Sequence, residues 1–322
     1  MLDIFTKKTG FVFSGAGARI AQECALSEVL IKGLTPSGEK IVPDVMSGSS
    51  AGAINIVAIN AILDPGVEFG WEEYKNEVLF PLKNKDVYTF TPFAPFLGDS
   101  VFETNPLRKL FKDIVEERIG YKTLGDLYLP TYISVVRRSS GRNLRLSAKS
   151  KKHSSYTLVD VLMATSAFPV VFPTQRIRGL SGRFFDGGTG RDDLPVEAFA
   201  KEKCRRIYII SKMRSKRRAK RETGITPSLK EFVKEKMRFE LSENALLAID
   251  FLMDDLFVCE LDRAIELASD KAFLYIPKLS KDYPILDFST QEKQYAETIA
   301  WAKKTDPLHL TPVTVKRRRF LA

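Results

Sequence analysis

The chain has 322 residues, 44% of them apolar and 28% charged, enough for one large α/β domain or two ordinary ones and too apolar for a natively disordered chain. No run reaches the roughly 18 to 20 apolar residues needed to cross a bilayer, and the first ten residues lack the apolar stretch of a secretory signal, so a cytoplasmic setting is expected. Three scattered cysteines (Cys24, Cys204, Cys259) and two histidines (His153, His309) suit neither a disulfide framework nor a metal site, so no metal or other cofactor is expected, while a net charge of +10 attracts anionic surfaces, phospholipid or nucleic acid.

In chain order, Thr9–Phe13 predicts a short buried strand, followed by the small-residue loop Ser14-Gly15-Ala16-Gly17-Ala18-Arg19 and a helix over 20–34. The arrangement repeats: the apolar run from Lys40 to Met46 enters Ser47-Gly48-Ser49-Ser50-Ala51-Gly52, and a mostly apolar helix leaves it, ending before Asp64-Pro65-Gly66. Two such units in succession predict a parallel sheet covered by helices. Residues 66–99 are aromatic and proline-containing without a clear period, which predicts an irregular cap or lid. An amphipathic helix is expected over 105–118, with Pro106 in its first turn, then strands over 129–137 and 144–148 around the turn Ser139-Ser140-Gly141. A small-residue helix follows over 158–168, ended by Pro169, then a short strand at 183–185 delivering Asp186-Gly187-Gly188, and another over 205–211. Beyond the basic tract 212–221 the chain reads as mainly helical, interrupted by the apolar run 272–279. With no internal repeat or low-complexity linker, a single domain over 1–322 is expected, its core at about 9–211 and a helical C-terminal part at about 225–322.

The residues that carry chemistry lie at the loops. A serine at a sharp strand-to-helix turn has its hydroxyl lifted clear of the sheet, over a helix N-terminus that favours developing negative charge. Ser50 holds that central position, Ser47 and Ser49 read as turn residues, and Gly48 and Gly52 stand where a side chain would obstruct the turn. Taken alone, the pattern is equally that of an ordinary small-residue turn. Acyl transfer also needs donors for an oxyanion, and Gly15, Ala16 and Gly17 can turn successive N–H groups into one concavity, with Arg19 adding positive potential. A dinucleotide loop is the competing reading, weakened by Ile20 at the place of its third glycine. Neither His153, in a charged stretch, nor His309, near the end, sits at a strand-to-loop junction, although a histidine triad is the remaining enzyme alternative. Asp186 emerges from a strand end beside two glycines and could accept the serine proton directly if burial raises its basicity; an Asp-Gly-Gly turn with no such role is the plain alternative.

Together SGAGAR, GSSAG and DGG resemble the patatin-like phospholipase family, and the resemblance extends through PDVMSGSSAGAIN, VFETNPLRKLF, KTLGDLYLPTYISVV and MATSAFPVVFPTQRI, over roughly residues 9–211. It implies a three-layer α/β/α sandwich with a mainly parallel central sheet and a Ser-Asp dyad that hydrolyses lipid esters. Carried over by position, Ser50 is the nucleophile, Asp186 the base, Gly15, Ala16 and Gly17 the oxyanion loop, Arg19 the basic position, and Gly187 and Gly188 the aspartate turn. The chain departs from the pattern at Ala16 and Ile20, where glycines are usual, and at TGRDDLP, one residue longer, with Asp192 and Asp193 where asparagines are common. Those two aspartates are expected to cap a helix beginning near Pro195.

The implied substrate is a phospholipid or lysophospholipid, cleaved by a phospholipase A or lysophospholipase reaction. The alternative is a lipid-binding or scaffold protein on a catalytically weakened version of the fold. The basic tracts 212–221 and 316–319 read as solvated charge or as peripheral contacts to an anionic membrane, and a nucleic-acid partner is disfavoured because no stacking aromatics accompany them.

Overall fold

The computed structural model describes residues 8–90, 100, 102–169, 171–213, 256–268 and 271–312. Its strands in chain order are β1 (Thr9–Phe13), β2 (Val45–Gly48), β3 (Thr89–Phe90), β4 (Phe102–Glu103), β5 (Thr131–Arg137), β6 (Arg142–Ser147), β7 (Gln175–Ile177), β8 (Leu180–Asp186), β9 (Arg206–Ile210), β10 (Lys271–Tyr275) and β11 (Leu308–Leu310). Apart from the small β3–β4 ribbon, they form one mixed sheet connected as β11-β10-β9-β1-β2-β5-β8-β7, with β6 beside β5. The centre, β10-β9-β1-β2-β5, is parallel, and antiparallel pairs close both margins.

The parallel strands are apolar on both faces because helices cover both faces. Phe11, Phe13, Met46, Tyr208, Ile210 and Tyr275 enter one core, against α1 (Ile20–Lys32), α2 (Ser50–Leu63) and the helices Leu158–Thr165 and Gln291–Ala302. The alternate residues Val12, Val45, Ile207, Ile209, Ala272 and Leu274 enter a second core, against the turn Val196–Lys201 and a helix at 256–267. This alternation makes the α/β/α sandwich. α1 stops at Gly33, whose φ of +66° lets Leu34 N–H reach the Val29 carbonyl at 2.9 Å. α2 is nearly all apolar because it lies between the sheet and the cap. Its two buried amides are satisfied: Asn55 bonds the Ile20 carbonyl, Glu23 and Tyr74, and Asn60 bonds Thr131, the Ile56 carbonyl and Leu129 N–H.

Three expectations change. Residues 66–99 are not irregular throughout, since Trp71–Glu73, the π-helix Tyr74–Leu79 and Asn84–Val87 are helical; 91–99 lie outside the described residues. The helix at 105–118 is α-helical only to Phe111 and continues as a π-helix over Lys112–Ile119. The strand before Asp186 begins at Leu180 and pairs with an unforeseen β7, because its outer residues are exposed and polar and leave no apolar alternation to read. In the C-terminal part, the described residues 256–267 and Gln291–Ala302 are helical, and β10 and β11 between and after them extend the main sheet. Among the described residues, no helix is long and apolar enough to cross a membrane.

α2 packs on the end of β1 so closely that a Cβ on Gly52 would lie 2.5 Å from the Ser14 carbonyl oxygen and 2.7 Å from Phe13 Cβ. Neither neighbour is the free end of a side chain. Gly52→Ala is therefore expected to lower the unfolding free energy by about 1–3 kcal/mol, read from the urea midpoint; an unchanged midpoint would contradict this packing.

Candidate active site

One edge of β5 carries β6 along its length. The other edge is shared: β2 runs parallel along its first half, ending with Gly48 beside Ile133, and β8 runs antiparallel along its second half, ending with Asp186 beside Val135. β2 and β8 therefore meet carboxyl end to carboxyl end across Ser134. The turn after β2 carries Ser50 and the turn after β8 begins at Asp186, so one register brings together residues 136 positions apart in the chain.

Ser50 opens α2 with a φ of +51°, a conformation costing a non-glycine residue about 1–3 kcal/mol. Its N–H donates to Thr165 Oγ1 at 2.9 Å, and the Thr165 hydroxyl donates to the Ser134 carbonyl at 2.7 Å. Thr165 thus ties the strained elbow to the residue where β2 and β8 meet, a role the sequence reading missed; its place in MATSAF was the only signal. Ser47 is fully buried, and Ser49, also fully buried, donates to the Asp193 carbonyl at 3.3 Å. Of the three serines, Ser50 alone lines the large cavity described below.

Asp186 is buried, the Ser50 hydroxyl is the neighbour that most strongly pulls its carboxyl down, and Gly188 N–H donates to its Oδ1 at 2.9 Å. Burial pushes its carboxyl up to about 7, against the opposing pull of the Ser50 hydroxyl and the Gly188 N–H; Asp193 adds to the rise and Lys212 reduces it. The turn is pressed onto β5, where a Cβ on Gly187 would stand 2.4 Å from the Ser134 carbonyl oxygen. At Gly188 a Cβ would face Asp193, Asp186 and Ser49 at 3.3 to 3.5 Å, and at Gly48 it would lie 2.7 Å from Ile56 Cδ1.

The glycine loop divides its work differently from expectation. The Gly15 N–H is not turned to an oxyanion: it donates to Asp193 Oδ1 at 3.2 Å. Ala16 is fully buried, and Gly17, with a φ of +52°, lines the cavity beside Ser50. Arg19 is buried and turned away, donating to the carbonyls of Tyr283 and Met213, each at 2.8 Å, so it anchors the C-terminal segment to the loop.

Asp192 and Asp193 do not cap the turn at Val196, whose N-cap is Pro195 without a side-chain bond. Both are buried because they bridge elements. Asp192 accepts from Ser134 Oγ at 2.7 Å and pairs with Arg145 at 2.6 Å; Asp193 holds Gly15 and lies 3.6 Å from Lys212 Nζ. Lys212 therefore belongs to the interior beneath the site rather than to a surface tract. It also donates to Ser14 Oγ at 3.4 Å, which in turn donates to Glu23 at 2.8 Å. Burial raises the Glu23 carboxyl. Residues 214–221 and 316–319 lie outside the described residues.

The histidines stand apart from the site. His153 accepts Ser147 N–H at 3.2 Å and stacks on Tyr156. His309 is exposed on β11, four strands from β2, which at about 4.8 Å per strand is about 19 Å away.

Beside Ser50 lies a cavity of about 860 Å³, mouth included, walled by Ile54, Val57, Leu110, Ile114, Phe172 and Phe288 among others. No charged side chain lines it among the described residues.

The architecture is that of an α/β/α protein with its candidate site at the carboxyl ends of parallel strands. The patatin-like phospholipase model matches residues 11–200, and the chain belongs to that family, lipid acyl hydrolases as a class. VipD from Legionella pneumophila is a similar solved structure at 14% identity and a TM-score of 0.38, with 92% of this chain and 67% of that one covered. No curated protein matches the chain in sequence.

The raised Asp186 carboxyl makes a stability prediction. The folded state keeps a proton that the unfolded chain releases near pH 4, so this group's stabilising contribution, full below about pH 4, is lost as pH rises through about 7. Asp186→Asn removes the buried charge. Its unfolding free energy should exceed that of the wild type by a few kcal/mol above pH 7, and the gap should close toward pH 4, as read from urea melts across pH. A gap independent of pH would contradict a buried, elevated carboxyl.

Proposed function

We propose that the protein is a phospholipase A or lysophospholipase that forms an acyl-enzyme at Ser50 with Asp186 as its base. The observation that carries this reading is a buried aspartate whose turn meets a strained serine elbow across Ser134, at the wall of an apolar cavity without charge among the described residues. Burial makes Asp186 a base suited to neutral pH, and the N-terminus of α2 favours negative charge at Ser50.

Asp186 takes the proton as Ser50 Oγ bonds to the ester carbonyl carbon. The N–H groups of Ala16 and Gly17 receive the oxyanion; alanine still supplies an N–H, and Gly15 serves to hold the loop to Asp193. The C–O bond to the alcohol then breaks, and Asp186 returns its proton to the leaving oxygen. Asp186 takes a proton from water as the water oxygen bonds to the acyl carbon, the bond from Ser50 Oγ to that carbon breaks, and Asp186 returns the proton to Oγ as the fatty acid leaves. The cavity receives the acyl chain by apolar burial.

The engagement of Gly15 by Asp193 favours a second reading, a lipid-binding scaffold with a weakened oxyanion loop. Lipid mass spectrometry of a treated phospholipid mixture separates the two. Wild-type protein should release fatty acid, and Ser50→Ala or Asp186→Asn should lower the rate by about a thousandfold or more, with His153→Ala and His309→Ala close to wild type. Equal release by Ser50→Ala would refute the hydrolase reading, and no release by wild type would favour the scaffold. Leu110→Trp, which fills the cavity, should shift the released acids toward shorter chains; an unchanged profile would place the acyl chain elsewhere.

A further inference from the structure

Asp193 touches each of the three turns that make the site. Its Oδ1 accepts the Gly15 N–H at 3.2 Å, its carbonyl accepts the Ser49 hydroxyl at 3.3 Å, and a Cβ on Gly188 would lie 3.3 Å from the same Oδ1. The glycine loop, the serine elbow and the aspartate turn therefore close on one residue, which is 1% exposed. Where Gly15 faces Asp193 it also faces the nucleophile, since a Cβ there would stand 3.5 Å from Ser50 Cβ. A displacement of Gly15 is thus a displacement of backbone beside Ser50, and Ala16 and Gly17 follow it in the chain.

A carboxylate buried without a cation is strongly unfavourable, and Lys212 supplies the cation. Its Nζ lies 3.6 Å from Asp193 Oδ2 and donates to Ser14 Oγ at 3.4 Å, so it joins Asp193 to the root of the glycine loop. The other charged groups near Asp193 have their own partners. Asp192 pairs with Arg145, Glu260 on the helix at 256–267 accepts the Leu194 N–H at 2.9 Å, and Glu23 on α1 accepts the Ser14 hydroxyl at 2.8 Å. Burial raises each of those three carboxyls. Toward Asp186, by contrast, Asp193 and Lys212 act in opposite senses, the carboxylate favouring the proton and the ammonium opposing it.

We infer that Asp193, held by Lys212, is a positioning residue for the hydrolysis: it fixes the glycine loop beside Ser50 and places a negative charge against the Asp186 turn. The proposal rests on the hydrolase reading for its purpose, while the effect of the charge is measurable without turnover. An asparagine would keep an acceptor for Gly15 and remove the charge, and an alanine would remove both, so the two functions separate by substitution.

The test uses the full chain with carbon-13 at its aspartate carboxyls, the Asp186 resonance being the one lost in Asp186→Asn. Its titration midpoint, about 7 in the wild type, should move down by about one pH unit in Asp193→Asn. Above the midpoint, fluorophosphonate labelling of Ser50 should be about tenfold or more slower in Asp193→Ala than in Asp193→Asn, because only the second still holds Gly15. A purely structural Asp193 would lower the melting temperature of both variants and leave the Asp186 midpoint in place. If Asp193→Ala fails to fold, Lys212→Met replaces it and should move the midpoint up, since the carboxylate of Asp193 then stands unopposed. An unmoved midpoint in folded Asp193→Asn or Lys212→Met would overturn the proposal, as would equal labelling of the alanine and asparagine variants. The titration needs no substrate. A midpoint that moves in a protein releasing no fatty acid would sink the hydrolase reading alone, and a fixed midpoint in an active enzyme would sink this proposal alone.

Discussion

The shared edge of β5 is the constraint on which the rest of the site depends. Two strands of opposite direction occupy it in tandem, and their carboxyl ends meet at Ser134. A strand end exposes the following turn, so two turns are delivered to one point with no contribution from chain proximity. Everything near that point reinforces the meeting. Thr165 bonds both the Ser50 amide and the Ser134 carbonyl, Gly187 lies against that same carbonyl, and Asp192 bonds the Ser134 hydroxyl. A strained serine is held in place because its neighbours are pinned to the same strand.

The cost of this arrangement is electrostatic. Glu23, Asp186, Asp192 and Glu260 are all buried, and burial raises each carboxyl. Lys212 and Arg145 offset part of that cost by lying against Asp193 and Asp192. What is unfavourable for folding is favourable for proton transfer, since a desolvated carboxylate is a stronger base. Asp193 links the two halves of the site: it holds Gly15 of the glycine loop and raises the basicity of Asp186 by its charge. With asparagine at that position the N–H contact could persist without the charge.

Much of this was legible in the sequence because it is local. The strands TGFVF and RRIYIIS, the elbow at Ser50 and the turn at Asp186 are each marked by an apolar run that stops at small residues, and the sheet register places these two turns side by side. What was not legible depends on long-range pairing. Asp192 and Asp193 look like caps because two acids before a proline usually are; only the fold shows that Ser134, Arg145, Gly15 and Lys212 converge on them. Arg19 looks like a source of positive potential until the Tyr283 and Met213 carbonyls, far away in sequence, appear beside it. Lys212 begins a basic tract, yet its position directly after β9 carries its amine inward. The β7–β8 hairpin was obscured for a different reason: Ser181, Gly182 and Arg183 are exposed in succession and interrupt the period that marks a strand.

On the proposed reading, a single reactive oxygen is made nucleophilic by a buried carboxylate. Labelling with a fluorophosphonate, followed by peptide mass spectrometry and repeated across pH, measures that directly. One adduct on Ser50, forming at a rate that rises with pH to a plateau a little above 7 and lost in Asp186→Asn, is the predicted result. An adduct on another serine, or labelling of Ser50 at the same rate with and without the Asp186 carboxylate, would contradict it.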